Sequence, residues 1–151
     1  MSTINPENRE GEPIPAKEVW IIDDDEETIK SILKIWQMKT KGLYNFRHFE
    51  TGASALAEIK RRQEAKESLP AYIFVDGELK KDEGELKRGA SLIKKIRSIK
   101  EIEQPQIIAH STEKEFNQEM LEAGANLAFS KKNFMESAEF LVDPEKYQKK
   151  E

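Results

Sequence analysis

Three short apolar runs, "VWII" at 19–22, "YIFV" at 72–75 and "QIIA" at 106–109, constrain this chain most, because none of them alternates apolar with polar residues. A strand with one wet face has to alternate, whereas a strand covered on both faces does not, and double cover is the habit of parallel sheets. Between the runs lie segments with helical spacing. Ile29, Ile32, Leu33 and Trp36 recur at i, i+3, i+4, i+7, and Leu92, Ile93, Ile96 and Ile99 repeat the pattern. The pattern predicts strands at 18–23, 44–49, 71–75, 106–110 and 126–130, each followed by a helix, at 26–39, 51–66, 88–100, 113–123 and 133–142. Strict alternation with short connections implies an α/β fold, a doubly wound five-stranded parallel sheet of five strand-helix units.

A chain of 151 residues holds one ordinary domain. Residues 1–17 carry three prolines and little apolar periodicity, so they read as a flexible leader, with the domain at 18–143 and a C-terminal tail at 144–151. The net charge of −4 and the lack of a basic block argue against nucleic acid as the main partner. Apolar runs of four or five residues are too short for a membrane span, and the N-terminus lacks a signal-peptide pattern. Cysteine is absent, which removes disulfides and thiolate zinc sites. These features together set the expectation of a cytoplasmic protein.

Glutamate outnumbers aspartate 23 to 6, so the aspartates are positional, and four of them end apolar runs: Asp23, Asp24, Asp25 and Asp76. In an open parallel sheet, ligands bind outside the carboxyl ends of the strands. At those ends the chain also places Ser111 and Thr112 ("IIAHST") and Ser130 and Lys131 ("AFSKK"). Carboxylates gathered there repel unless a proton or cation intervenes. Mg²⁺, which takes one or two carboxylates and shares its shell with water and phosphate oxygens, suits Asp23 and Asp24. Lys131 and Ser111 are candidates to hold phosphoryl oxygens, and Asp76 is a candidate nucleophile able to form an acyl phosphate. Asp25 reads as the cap of the first helix. His110 lies inside a strand run, reads as a core or edge histidine, and is assigned no role.

At these residues the chain resembles the response-regulator receiver domain of two-component signalling, which has the flavodoxin-like (βα)5 fold. The markers are "IIDDD", "IFVD", "IIAHS", the glycine of "EAGAN" and "SK", in that order, and the resemblance spans roughly Glu18 to Leu141. It implies that Asp23 and Asp24 bind Mg²⁺, with Asp76 and the backbone carbonyl of Glu78 completing the metal shell. It further implies that Asp76 is the phospho-acceptor, Ser111 the switch hydroxyl and Lys131 the lysine facing the phosphoryl group. The implied partners are a histidine kinase or phosphotransfer protein and a downstream protein target; a homodimer is left open. Activation in the family changes the surface around the fourth helix and fifth strand.

The chain departs from the family pattern at several points. Lys132 follows Lys131 where the family usually has a cis proline, and Ala128 stands where an inward-turning aromatic is common, with Phe129 beside it. Thr112 replaces a very small residue, and "GELKKDEGELKRGA" after Asp76 is longer than the usual loop. Only 20 residues follow Lys131, which implies a single-domain regulator, a phospho-acceptor rather than an enzyme, with output through protein contact. Glu78 and Glu113, flanking acceptor and hydroxyl, are expected to tune hydrolysis of the acyl phosphate. Two rivals stand beside this reading. A receiver-like adaptor would bind partners without phosphorylation; a Mg²⁺-dependent phosphatase of the haloacid dehalogenase type would use Asp23 and Asp25, but needs a late acidic cluster that this chain lacks.

Overall fold

A computed structural model describes residues 17–147. The expected leader, apart from Lys17, and the last four residues of the expected tail lie outside the described residues. The chain runs β1 (Lys17–Ile22), α1 (Glu26–Thr40), β2 (Tyr44–Phe49), α2 (Gly52–Ala65), β3 (Tyr72–Val75), α3 (Gly89–Arg97), β4 (Gln106–Ser111), α4 (Lys114–Ala123), β5 (Leu127–Ser130) and α5 (Phe134–Val142). All five strands are parallel, in the order β2-β1-β3-β4-β5. This is the doubly wound, flavodoxin-like order, which reverses direction between β1 and β3 and opens a crevice there.

The non-alternating runs are explained by burial on both faces. From β1, Trp20 and Ile22 enter one core with Ile73, Val75, Ile107 and Ala109, under α2, α3 and α4. Val19 and Ile21 enter the opposite core with Phe74, Ile108, Trp36 and Phe140, under α1 and α5. Each fully buried aliphatic or aromatic side chain of this kind contributes about 1.5–3 kcal/mol. The α1 stripe is confirmed, with Ile29, Ile32 and Trp36 buried. β2 lies at the sheet edge and is the one strand whose burial alternates over most of its length.

Most boundaries fall within one residue of expectation, and two larger differences stand out. α3 stops at Arg97 instead of residue 100, because Ser98 Oγ donates to the Lys95 carbonyl (2.7 Å) and Gln104 Nε2 donates to the Ile96 and Ile99 carbonyls (3.0 and 3.2 Å). These side-chain bonds satisfy the helix end, and Ile99 still packs against the core from the loop. At the other end of the chain, a single 3₁₀ turn at Pro144–Tyr147 folds back, and the Tyr147 ring meets Phe129 and Phe140 at 5.6 and 5.7 Å between centroids. The first residues of the expected tail are therefore packed on the domain. No helix among the described residues is long and apolar enough to cross a membrane.

Candidate functional site

Strand register alone places the acidic residues side by side. Ile22 pairs with Val75, so Asp23 and Asp76 are each the first residue past the paired ends of neighbouring strands, and the ladder continues one step further through the Asp76 N–H to the Ile22 carbonyl at 3.0 Å. Parallel neighbours lie about 4.8 Å apart, so the two carboxylates must share a site. On the other side of β3, Val75 pairs with Ala109 and Ser111 with Ser130, which puts Ser111 and Lys131 at the same edge.

Asp23 and Asp76 are both buried. Asp23 Oδ1 accepts the Asp25 N–H at 2.8 Å, and Asp76 Oδ1 accepts the Gly77 N–H at 2.8 Å. Lys131 Nζ bridges them, donating to Asp23 Oδ2 at 2.8 Å and to Asp76 Oδ2 at 3.3 Å. Asp24 is held from another direction, its Oδ2 accepting the Lys80 N–H at 2.6 Å. Asp25 caps α1 as expected, accepting the Thr28 N–H at 3.2 Å and the Thr28 hydroxyl at 2.7 Å. One oxygen from each of Asp23, Asp24 and Asp76 lies within 4.8 Å of the others.

The electrostatics of this trio follow from its crowding. Burial, followed by the charge of Asp23, pushes the Asp76 carboxyl up to about 6, against the pull of Lys131 and the Gly77 N–H. Burial also raises Asp23, with Lys131 opposing. Burial works against the charge on Lys131, but the hydrogen bond and charge of Asp23, and then the charge of Asp76, prevail and hold its pKa above the usual lysine value. One ammonium faces three carboxylates, so the donor set is short of positive charge and consists only of hard oxygens. A hard divalent cation fits it.

Ser111 is buried, and its hydroxyl oxygen accepts the Glu113 N–H at 3.1 Å, leaving the hydroxyl hydrogen free to donate elsewhere. Asp24, Asp76, Glu78, Ser111, Glu113 and Lys131 line one open cleft of about 610 Å³. The Glu78 side chain is exposed there, and its backbone pairs with Arg88 in an isolated antiparallel bridge. The peptide bond from Lys131 to Lys132 is trans, and the chain turns at once into a 3₁₀ turn at Lys131–Asn133. Phe129 points into the α1/α5 core against Phe140 at 5.6 Å, while Ala128 packs on the opposite side of the sheet, so Phe129 does not occupy the place of the missing aromatic.

Several contributors escaped the sequence reading. Asp82 is buried and accepts the Gly52 and Ala53 N–H groups at 2.6 and 2.9 Å, tying the long β3–α3 loop to the start of α2. His48 Nε2 contacts the Asp23 carbonyl at 2.7 Å. Asn117 binds the backbone at the ends of β4 and β5. Asp82 had a signal in the scarcity of aspartate; the other two had none, since their partners are main-chain groups, which no side-chain pattern records.

No protein-family model matches this sequence, and no curated protein matches it. Solved structures do. The phosphorylated cyanobacterial phytochrome response regulator RcpA superposes with a TM-score of 0.67 at 18% identity, over 87% of this chain and 93% of that one. The Mn²⁺-bound form of response regulator Rcp1 gives 0.62 at 16%, over 87% and 93%. A CheY-like receiver domain protein from Methanospirillum hungatei gives 0.62 at 20%, over 87% and 97%. These likenesses define the fold: this chain has the receiver-domain fold of response regulators, and at its strand ends Asp23, Asp24 and Asp76 form an acidic cluster whose hard oxygens fit a divalent cation.

Proposed function

We propose that this protein is a response regulator in which Asp76 accepts a phosphoryl group from a histidine kinase or phosphotransfer protein, with Mg²⁺ as cofactor, and passes the signal on by protein contact. The observation that carries this reading is the meeting of Asp23, Asp24 and Asp76 with Lys131 in one cleft. An Asp76 oxygen attacks the donor's phosphorus, the bond from phosphorus to the donor nitrogen or oxygen breaks, and the leaving group departs with that electron pair, producing an acyl phosphate on Asp76. Asp23, Asp24, Asp76 and the Glu78 carbonyl would hold the metal. When bound, Mg²⁺ supplies charge neutralisation to the phosphoryl oxygens. Lys131 balances charge on the same side of the cleft, and the Ser111 hydroxyl donates its free hydrogen to a phosphoryl oxygen. Burial and Asp23 push Asp76 up to about 6, so at neutral pH it is largely ionised, the form that can attack phosphorus. RcpA is described as phosphorylated and Rcp1 as Mn²⁺-bound, which supports both halves of the reading.

Incubation with acetyl phosphate and Mg²⁺ should add the mass of one phosphoryl group, and Asp76→Ala should abolish it. Equal labelling of that variant would refute the assignment. No labelling of the wild-type chain would leave the adaptor, which Ala128 and the inward Phe129 favour, and continuous ester turnover would point to the hydrolase. Replacing Glu78 or Glu113 by Ala should change the lifetime of the phosphoryl group; an unchanged lifetime removes that residue from the mechanism.

A further inference from the structure

We propose that Asn117 is a positioning residue for this site: its carboxamide holds the backbone of Ser111 and carries any displacement of Ser111 into α4. The inference rests on the phospho-acceptor reading above. The Ser111 N–H donates to Asn117 Oδ1 at 3.0 Å, and Asn117 Nδ2 donates to the Ser111 and Phe129 carbonyls at 3.2 and 3.3 Å. The orientation of the amide is determined by its neighbours, because a flipped amide would face a donor to a donor and an oxygen to two carbonyls. One side chain of α4 therefore grips both backbone polar groups of the serine and reaches the next strand.

The residue before it completes the contact. Phe116 lies so close to Gly77 that a Cβ at Gly77 would sit 2.3 Å from Phe116 Cβ, and the Arg88 guanidinium covers its ring at 4.5 Å while bonding Glu119 at 2.7 Å. The first turns of α4 thus touch the backbone beside Asp76 and the backbone of Ser111, on both flanks of the cleft. Ala128 offers no aromatic to follow the serine, and Phe129 faces the other core. If Ser111 moves toward a phosphoryl group on Asp76, the Asn117 carboxamide has to travel with it, taking α4 along, or lose its two hydrogen bonds to the Ser111 backbone.

The full chain is loaded with beryllofluoride and Mg²⁺, a stable stand-in for the acyl phosphate, and deuterium uptake of residues 114–119 is compared with and without ligand. Wild type should show a ligand-dependent change there. Asn117→Ala and Asn117→Asp should still load, seen by intact mass under native conditions, yet lose at least two-thirds of that change. The Asp variant is nearly isosteric and keeps the acceptor, but turns two donors into a charged oxygen facing carbonyls. Met120→Ala, which opens the buried side of α4, controls for simple destabilisation and should keep the change. An Asn117 variant that retains the full change, or a Met120→Ala loss as large as that of Asn117→Ala, overturns the proposal. Failure of the wild-type chain to load overturns the phospho-acceptor reading itself, and this inference with it.

Discussion

The nucleophile role proposed for Asp76 needs it ionised beside Asp23, and both burial and that neighbour resist its charge. Its pKa is raised from 3.8 to about 6, so the folded state binds a proton more tightly than the unfolded state does. Stability therefore falls as pH rises from about 4 to about 6, and at neutral pH the ionised group costs roughly 3 kcal/mol. His110 acts in the opposite sense. Burial, then the charge of Lys131, pushes it down to about 3, and its ring packs against Trp36 and Phe74 with Ser137 on Nε2. It stays neutral when folded, so its contribution is lost as pH falls below about 6.5. Asp76→Asn removes only the first effect. In chelator at pH 7 that variant should be more stable than wild type by about 1–3 kcal/mol, and the gap should close by pH 4, so its loss of stability on acidification is the steeper one. Urea unfolding of both proteins at the two pH values measures this, and a gap independent of pH contradicts the electrostatic account.

At the scale of elements, the β3–α3 loop is tied down at several points although its sequence reads only as a long polar insertion. Leu79 is buried in the core, the Lys80 N–H holds Asp24, Lys81 pairs with Glu50, and Asp82 caps α2 from outside. Asp82→Ala should cost about 1–2 kcal/mol, the usual loss for a helix cap, and should speed amide exchange at Gly52 and Ala53. Unchanged exchange there would show that Thr51 caps the helix unaided. The start of α3 is equally close. A Cβ at Gly89 would lie 2.2 Å from the Asp76 carbonyl oxygen and 2.9 Å from Met120 Sδ. Gly89→Ala should destabilise by about 1–3 kcal/mol, read by thermal melting, because what it meets is the Asp76 backbone, which has little room to yield. Helix and strand identities were legible from periodicity. The end of α3 was not, because it is set by Ser98 and Gln104 bonding carbonyls, a choice no hydrophobic pattern records.

For the whole molecule, a cation that binds only the folded chain must stabilise it. At 100 times its dissociation constant, Mg²⁺ should raise the unfolding free energy by about 2.7 kcal/mol, and the joint change Asp23→Asn with Asp24→Asn should abolish that gain while the protein stays folded. Equal Mg²⁺ stabilisation of both proteins would place the ion elsewhere. The amino-acid sequence by itself determined the layered sheet, since runs such as "VWII" and "YIFV" can be buried only with helices on both sides, and it marked Asp23, Asp24, Asp76, Ser111 and Lys131 because each stands at a strand end. Tertiary structure alone decided that Lys131 bridges Asp23 and Asp76, that Phe129 turns to the α1/α5 core, and that Asn117 and Asp82 brace the cleft. Periodicity is a property of neighbours in the chain, whereas these contacts join residues up to 108 positions apart, and their partners are fixed only when the sheet register brings the strand ends together.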